Sequence, residues 1–190
     1  WVERLGRVLE WTPMVRLDHF RGFEAYYSVA HGSEDATQGV WVKGPGRALF
    51  ERFIEVFGHR PFVAEDLGEV DEKVFALRRG AGLLCTRVLQ FGLAEPGEDS
   101  LHLPGNCPED ALVYTGTHDN DTTNGWFSTL DEASQARVKA RVGGSDDVAF
   151  AITEIAAKTE AALVLVPVQD VLGLGSEGRM NIPGVADGNW

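Results

Sequence analysis

Short apolar runs alternate with amphipathic stretches along nearly the whole chain, and this alternation limits the fold more than any other feature. The runs that we predict as strands are residues 14–17, 61–64, 85–91, 111–116 and 162–168. Helices are predicted where apolar residues recur on one helix face, over residues 2–10, 46–57, 71–79, 131–142 and 146–160. Strands that alternate with helices in this way are typical of α/β proteins with a parallel sheet.

The length leaves two architectures open, an open doubly wound sheet and a portion of a (β/α)8 barrel. The chain has 190 residues, whereas a whole barrel typically needs about 250. We expect one domain over residues 1–190. Residues 28–46 are polar and rich in glycine, and we predict a strand-poor insertion after the first strand, of the kind that is often functional or mobile.

Charge and leader composition restrict the partners and the location. Acidic residues outnumber basic ones by 29 to 17, which gives a net charge of −12 and disfavours nucleic acid and anionic membrane surfaces. The first residues carry charges where a secretory signal would be apolar, and no run approaches the roughly 18 apolar residues of a membrane span. Cys85 and Cys107 fit neither a metal-ligand spacing nor a disulfide framework. The sequence therefore predicts a soluble, cytoplasmic protein with reduced thiols.

Polar side chains follow three of the predicted strands at the point where each strand ends. Asp18 follows the first strand, Glu65 follows the second, and His118 and Asp119 follow the fourth. The carboxyl ends of parallel strands form the edge where α/β proteins bind ligands. Each acid taken singly could equally be a helix cap or a turn residue, but the three clusters together favour catalysis.

Two carboxylates in different environments suit a nucleophile and a general acid, as in retaining glycosidases. Arg16 lies on the same strand face as Asp18 and would keep that carboxylate ionised, whereas Glu65 would need a raised pKa to arrive protonated. A divalent cation held by Asp18, Glu65, Asp119 and His118 is the competing interpretation. The arginine next to Asp18 disfavours a cation, but spacing alone leaves this alternative open.

A glycine motif, "GLGSEG" at 173–178, matches the pattern G-x-G-x-x-G after a predicted strand. A dinucleotide site would require a helix to begin there and a second strand with an acid about 20 residues further on. Pro183 follows instead, so we interpret the segment as a glycine loop.

Several ordered motifs resemble one family. The segments "VRLDHFRGFEAYY", "WVKGPG", "AEDLG", "VLQF", "YTGTHDNDTT" and "VPVQDVLGLGSEGRMNIPG" are similar, in this order, to the 4-α-glucanotransferases called amylomaltase or disproportionating enzyme, a branch of the α-amylase superfamily. The resemblance covers nearly the whole chain and implies the carboxyl-terminal portion of a (β/α)8 barrel, from about strand 4 to strand 8.

The resemblance also implies roles for particular residues. Asp18 would be the nucleophile, Glu65 the acid/base, and Asp119 the carboxylate that grips sugar hydroxyls in the distorted transition state. Arg16 and His118 would orient the nucleophile and bind the same glucosyl unit. Asn181, with Arg179 and Ser176, would offer donors to sugar from the loop 172–184, which the resemblance places beside the site.

The reaction implied is transfer of α-1,4-glucan segments between maltooligosaccharides, with starch- or glycogen-derived glucans as substrates. We expect neither a cofactor nor a metal. The alternative is a catalytically incomplete fragment that binds sugar or assembles with other chains. Exposed sheet edges could also lead to self-association.

Overall fold

The computed structural model describes residues 1–58 and 62–190. They fall into two compact units, Trp1–Thr86 and Arg87–Trp190. Pro61, the first residue of the predicted strand 61–64, lies outside the described residues.

The first unit contains two parallel strands, an antiparallel hairpin and four helices within its described residues. In chain order its elements are α1 (Val2–Leu9), β1 (Val15–Leu17), α2 (Arg21–Glu24), β2 (Ala25–Ser28), β3 (Val40–Lys43), α3 (Gly46–Phe57), β4 (Phe62–Ala64) and α4 (Glu72–Gly80). Strands β1 and β4 are parallel, with Leu17 opposite Ala64. The residues that follow these two strands therefore start from the same end of the pair.

Phenylalanines form most of the core of the first unit. Phe20, Phe50 and Phe53 are almost fully buried, and Phe23 and Phe62 pack in the same cluster. Burying one such side chain contributes about 1.5–3 kcal/mol. The apolar faces predicted for α1 and α3 supply part of this cluster, which holds β1 and β4 in place.

The segment 28–46 is less strand-poor than the sequence predicted. Strand β3 lies inside it and pairs with β2 in antiparallel register, with Tyr27 opposite Trp41 and Tyr26 opposite Val42. Aromatic and β-branched residues favour strands when they meet across a pair. The prediction gave too much weight to the glycine and polar residues between the two runs.

The second unit contains the rest of the α/β pattern. Its elements are β5 (Cys85–Val88, of which Arg87 and Val88 belong to this unit), α5 (Leu89–Leu93), β6 (Ala111–Tyr114), α6 (Thr123–Thr129), α7 (Glu132–Arg141), α8 (Val148–Ala157), β7 (Leu163–Leu165) and α9 (Val168–Val171). Strands β5, β6 and β7 form one sheet in that order, and β6 and β7 are parallel.

Several predicted strands are too long. The prediction 85–91 was wrong beyond Val88, because helix α5 begins at Leu89, and the prediction 162–168 was wrong at its end, because α9 begins at Val168. Continuous apolar runs do not distinguish a strand from the buried start of a helix. The helices α4, α7 and α8 match their predictions closely, since Asp71, Asp131 and Asp147 cap their first turns.

Helix length is also informative about membranes. Across the described stretches 1–58 and 62–190, no helix is long and apolar enough to cross a bilayer.

Candidate active site

The end of β1 carries an ion pair. Arg16 and Asp18 point to the same side because strand side chains alternate, and Arg16 Nη1 lies 2.6 Å from Asp18 Oδ1. The Asp18 side chain is 77% exposed, whereas that of Arg16 is 27% exposed. The pair therefore holds a solvent-facing carboxylate in one orientation, which is the arrangement that a nucleophile requires.

Glu65 follows β4 and is joined to the end of β1 through both backbone and side chain. Its backbone N–H donates to the Leu17 carbonyl at 3.0 Å, and its carbonyl accepts from the Phe20 N–H at 3.0 Å. Its carboxylate accepts from the His19 N–H at 2.8 Å and from the Leu67 N–H at 3.2 Å. The Glu65 side chain is therefore fixed next to the segment that carries Asp18.

His19 has an unusual backbone conformation that serves this contact. Its φ is +47°, in the left-handed region that non-glycine residues seldom occupy. In this conformation the His19 N–H donates to Glu65 Oε2. Residues held in sparsely populated conformations cluster at functional sites. The turn at His19 is therefore a candidate functional feature that connects the end of β1 to Glu65 after β4.

Burial raises the pKa of the Glu65 carboxyl above its ordinary value. The hydrogen bonds from His19 and Leu67 and the charge of Arg16 act in the opposite direction, while the charge of Asp18 raises the pKa further. Desolvation is the largest of these causes. A half-buried carboxyl that keeps its proton more readily, next to the exposed Asp18, has the properties of a general acid.

A buried pair supports the strand end next to Glu65. Asp66 Oδ1 accepts from the Thr86 N–H at 2.9 Å, and Asp66 Oδ2 lies 3.7 Å from Arg78 Nε. The Thr86 hydroxyl donates to the Ala64 carbonyl at 2.9 Å. Because Asp66 and Arg78 are both buried, the backbone on either side of Glu65 has little freedom to shift.

In the second unit, His118 and Asp119 lie on a tight turn after β6. Asn120 Oδ1 accepts from the Thr117 N–H at 2.9 Å and from the Thr117 hydroxyl at 2.6 Å. His118 Nε2 lies 3.4 Å from Asp119 Oδ2. Side-chain bonds of this kind shape polar turns, and here they present His118 and Asp119 to solvent.

The loop 172–184 is bonded to this turn. Asn181 Nδ2 donates to Asp119 Oδ1 at 2.6 Å, and Arg179 Nη2 donates to the Asp119 carbonyl at 2.8 Å. The Ser176 hydroxyl donates to Asp121 Oδ2 at 2.6 Å. Asn181, Arg179 and Ser176, which the sequence suggested as donors to sugar hydroxyls, thus also hold the turn. The Ser176–Gly178 segment forms a short 3₁₀ turn, which is not the α-helix that a dinucleotide fingerprint requires.

A cavity of about 360 Å³ adjoins the turn in the second unit. Its lining includes Tyr114, His118, Leu165, Gln169 and Arg179. A concave site lined by apolar side chains with a few polar groups is typical of small-molecule binding.

Sequence reasoning missed the buried carboxylate behind this turn. Asp170, only 4% exposed, accepts from the Thr123 N–H at 2.7 Å and from the Thr115 and Thr123 hydroxyls at 2.8 Å each. An acid inside the apolar run before a glycine loop gives no signal of burial, because its partners are 47 and 55 residues away in the chain.

The predicted residues therefore form two groups. Arg16, Asp18 and Glu65 come together in the first unit, and His118, Asp119 and Asn181 come together in the second. Within residues 1–58 and 62–190, no three His, Cys, Asp or Glu side chains converge as they would to hold a metal ion. Cys85 and Cys107 are buried thiols.

Parallel α/β strands followed by acids, one of them paired with an arginine and one with a raised pKa, are typical of proteins that bind ligands at strand ends. The family model described as 4-alpha-glucanotransferase matches residues 1–190. The chain belongs to the 4-alpha-glucanotransferase family.

Individual relatives are similar over the whole chain. The 4-alpha-glucanotransferase of Thermus thermophilus is 46% identical over 199 residues, and the chloroplastic/amyloplastic 4-alpha-glucanotransferase of Arabidopsis thaliana is 40% identical over 192 residues. Both alignments cover 100% of this chain, but only 40% and 33% of those proteins. The chain therefore spans well under half the length of these curated relatives.

A solved structure has the same fold over this region. The amylomaltase from Streptococcus agalactiae in complex with acarbose superposes with a TM-score of 0.95 at 30% identity, covering 100% of this chain and 39% of that one. The α/β class predicted from the sequence is thereby confirmed.

Proposed function

We propose that this chain carries the reacting groups of a 4-α-glucanotransferase, which moves α-1,4-glucan segments between maltooligosaccharides with net retention. The observation that carries the proposal is the contrast between the carboxyls of Asp18 and Glu65. Asp18 is held by Arg16 at 2.6 Å, and burial raises the pKa of Glu65. A carboxylate that an arginine holds in place, next to a carboxyl whose pKa is raised by burial, matches the nucleophile and the acid of a double displacement.

The steps follow from the surroundings of these two carboxyls. Glu65 donates its proton to the glycosidic oxygen as the bond to the leaving glucan breaks, and Asp18 forms a covalent bond to the anomeric carbon. Glu65, now a carboxylate, takes a proton from the 4-hydroxyl of an incoming glucan, which attacks that carbon and releases Asp18. Water in place of the acceptor would give hydrolysis.

Asp119, His118 and Asn181 bind a glucosyl unit of the glucan. Their turn is kept in place by hydrogen bonds from the loop 172–184, and His118 lines the cavity next to it. The architecture, the carboxyl-terminal portion of a (β/α)8 barrel from about strand 4 to strand 8, also belongs to the proposal. A cytoplasmic location remains a prediction from the sequence; the Arabidopsis relative is described as chloroplastic/amyloplastic.

Maltotriose tests the proposal. The products of the wild-type chain are separated by thin-layer chromatography, and we expect glucose together with oligosaccharides longer than the substrate. Asp18→Asn and Glu65→Gln should each lower the rate by several powers of ten, while Asp99→Asn on an exposed loop serves as the matched control. Asp18→Asn protein that transfers at the wild-type rate would contradict the assigned roles.

A second candidate is a fragment that binds sugar or assembles with other chains without catalysis. It is favoured by exposed apolar side chains on β7 and along the segment that follows it, Leu165, Val168, Val171 and Leu172. Such a patch marks an interaction surface on many proteins. No products from maltotriose, combined with a sedimentation coefficient that rises with protein concentration, would favour this candidate.

A further inference from the structure

The hairpin of β2 and β3 presents two large aromatic side chains to solvent. Tyr27 and Trp41 face each other across the pair, with ring centroids 5.4 Å apart and an interplanar angle of 64°. Trp41 is 57% exposed and Tyr27 is 40% exposed. Contiguous exposed apolar surface of this kind often marks a binding site.

Both rings are held in place. The Tyr27 hydroxyl accepts from the Gly39 N–H at 2.8 Å, and the Tyr27 ring packs so closely on Gly39 that a Cβ there would clash with it. The Arg21 guanidinium lies 4.5 Å from the centroid of the Trp41 ring, a cation–π contact. We call Arg21, Tyr27 and Trp41 the hairpin surface. Because these rings are already fixed, binding a ligand would cost little side-chain conformational entropy.

The hairpin surface adjoins the segments that carry the two reacting carboxyls. Arg21 Nη1 donates to the Glu69 carbonyl at 2.7 Å, and Glu69 lies in the loop that follows Glu65. Arg21 itself begins the helix directly after the turn that contains Asp18 and His19. A polymeric ligand that reacts at Asp18 could therefore continue onto the hairpin surface.

The chemistry of the surface points to a sugar chain. Aromatic rings offer an apolar face with a polar edge, which complements the C–H faces and hydroxyls of a pyranose. A nucleic acid would also stack on aromatic rings, but the net charge of −12 repels phosphates, and a neutral glucan is not affected by that charge.

We propose that the hairpin surface binds an α-1,4-glucan chain outside the site of bond exchange. This inference rests on the proposed function for its class of ligand. A chain of several glucose units would contact the hairpin surface and the carboxyl site together, whereas a short one would fill only one of them. Binding should therefore strengthen with glucan length.

Fluorine NMR on protein labelled with 5-fluorotryptophan tests this directly. Glu65→Gln protein is used so that the sugar is not consumed, and the Trp41 resonance is assigned by its loss in Trp41→Phe. We expect maltoheptaose to shift the Trp41 resonance in a saturable manner, and the resonance of Trp11, which is 89% exposed, to stay in place. Trp41→Ala should weaken maltoheptaose binding about tenfold, and Trp11→Ala should not change it.

Three results would overturn the inference: no maltoheptaose binding, a Trp41 resonance unaffected by bound maltoheptaose, or equal affinities in Trp41→Ala and wild type. A resonance that responds to protein concentration but not to sugar would assign the surface to a second copy of this chain. If Trp41→Ala fails to fold, the maltoheptaose titration of labelled Glu65→Gln protein, which keeps Trp41, still tests the inference. A saturable Trp41 shift without transfer products from wild type would keep the binding site and reject the proposed reaction, whereas transfer without the shift would do the reverse.

Discussion

Removing the buried carboxylate of Asp170 should destabilise the second unit substantially. In Asp170→Ala three donors lose their acceptor, namely the Thr123 N–H and the hydroxyls of Thr115 and Thr123, all at 2.7–2.8 Å in the structure. Each buried donor left without a partner costs about 1–3 kcal/mol, so we expect the free energy of unfolding to fall by at least about 3 kcal/mol. Thr115 and Thr123 lie on either side of the segment with His118 and Asp119, so that turn should loosen too.

Urea denaturation followed by circular dichroism measures the change, with Asp99→Ala on an exposed loop as the control. Asp170→Asn should lose less than Asp170→Ala, because the threonine hydroxyls can rotate to accept from an amide. Hydrogen exchange at the Thr123 amide should accelerate in Asp170→Ala. An unfolding free energy within about 0.5 kcal/mol of wild type, the usual range for neutral surface changes, would refute the reasoning.

Three further predictions concern pH and transfer. Burial raises the pKa of Glu65 above 4.5, so the contribution of this carboxyl to stability is present in acid and is lost as the pH rises through the native pKa. In urea titrations Glu65→Gln should therefore gain stability relative to wild type above pH 4.5. A difference that does not depend on pH would contradict this. Burial lowers the pKa of His102 from 6.5 to about 4, and its neutral ring accepts from the Val88 N–H. The free energy of unfolding should fall as the pH is lowered from 6.5 towards 4, and it should fall less steeply in His102→Asn. Equal slopes in the two proteins would argue against a lowered pKa of His102. Asn181→Ala removes the 2.6 Å bond to the exposed Asp119, so we expect normal folding but slower transfer, or more hydrolysis per transfer, from maltotriose; an unchanged product ratio and rate would make the loop a simple connector.

Local signals in the sequence were enough to predict the main elements and the ion pair. The spacing of apolar residues predicted α3, α4, α7 and α8, and in the structure aspartates cap the first turns of the last three. Arg16 and Asp18 are two residues apart on a strand, so their contact followed from strand geometry alone. The role given to Glu65 requires a raised pKa, and burial raises the pKa of this carboxyl in the structure.

Features that depend on distant partners could not be predicted. The hydrogen bond from the His19 N–H to Glu65 joins residues 46 positions apart, and no local pattern indicates that His19 adopts a positive φ. Asn181 was interpreted as a donor for sugar, and no spacing pattern indicates that its amide also donates to Asp119, 62 positions away. Tertiary structure decides which polar groups remain available to a ligand, and propensity and spacing carry no information about it.

The central claim is that Asp18 forms a covalent bond to glucan while Glu65 moves the proton. An activated donor, α-maltosyl fluoride, tests it in Glu65→Gln protein, because fluoride leaves without an acid whereas release of the intermediate needs the missing base. Peptide mass spectrometry after rapid quenching should find a maltosyl adduct on Asp18, which Asp18→Asn in the same background abolishes. An adduct on another residue, or the same adduct yield after Asp18→Asn, would contradict the account.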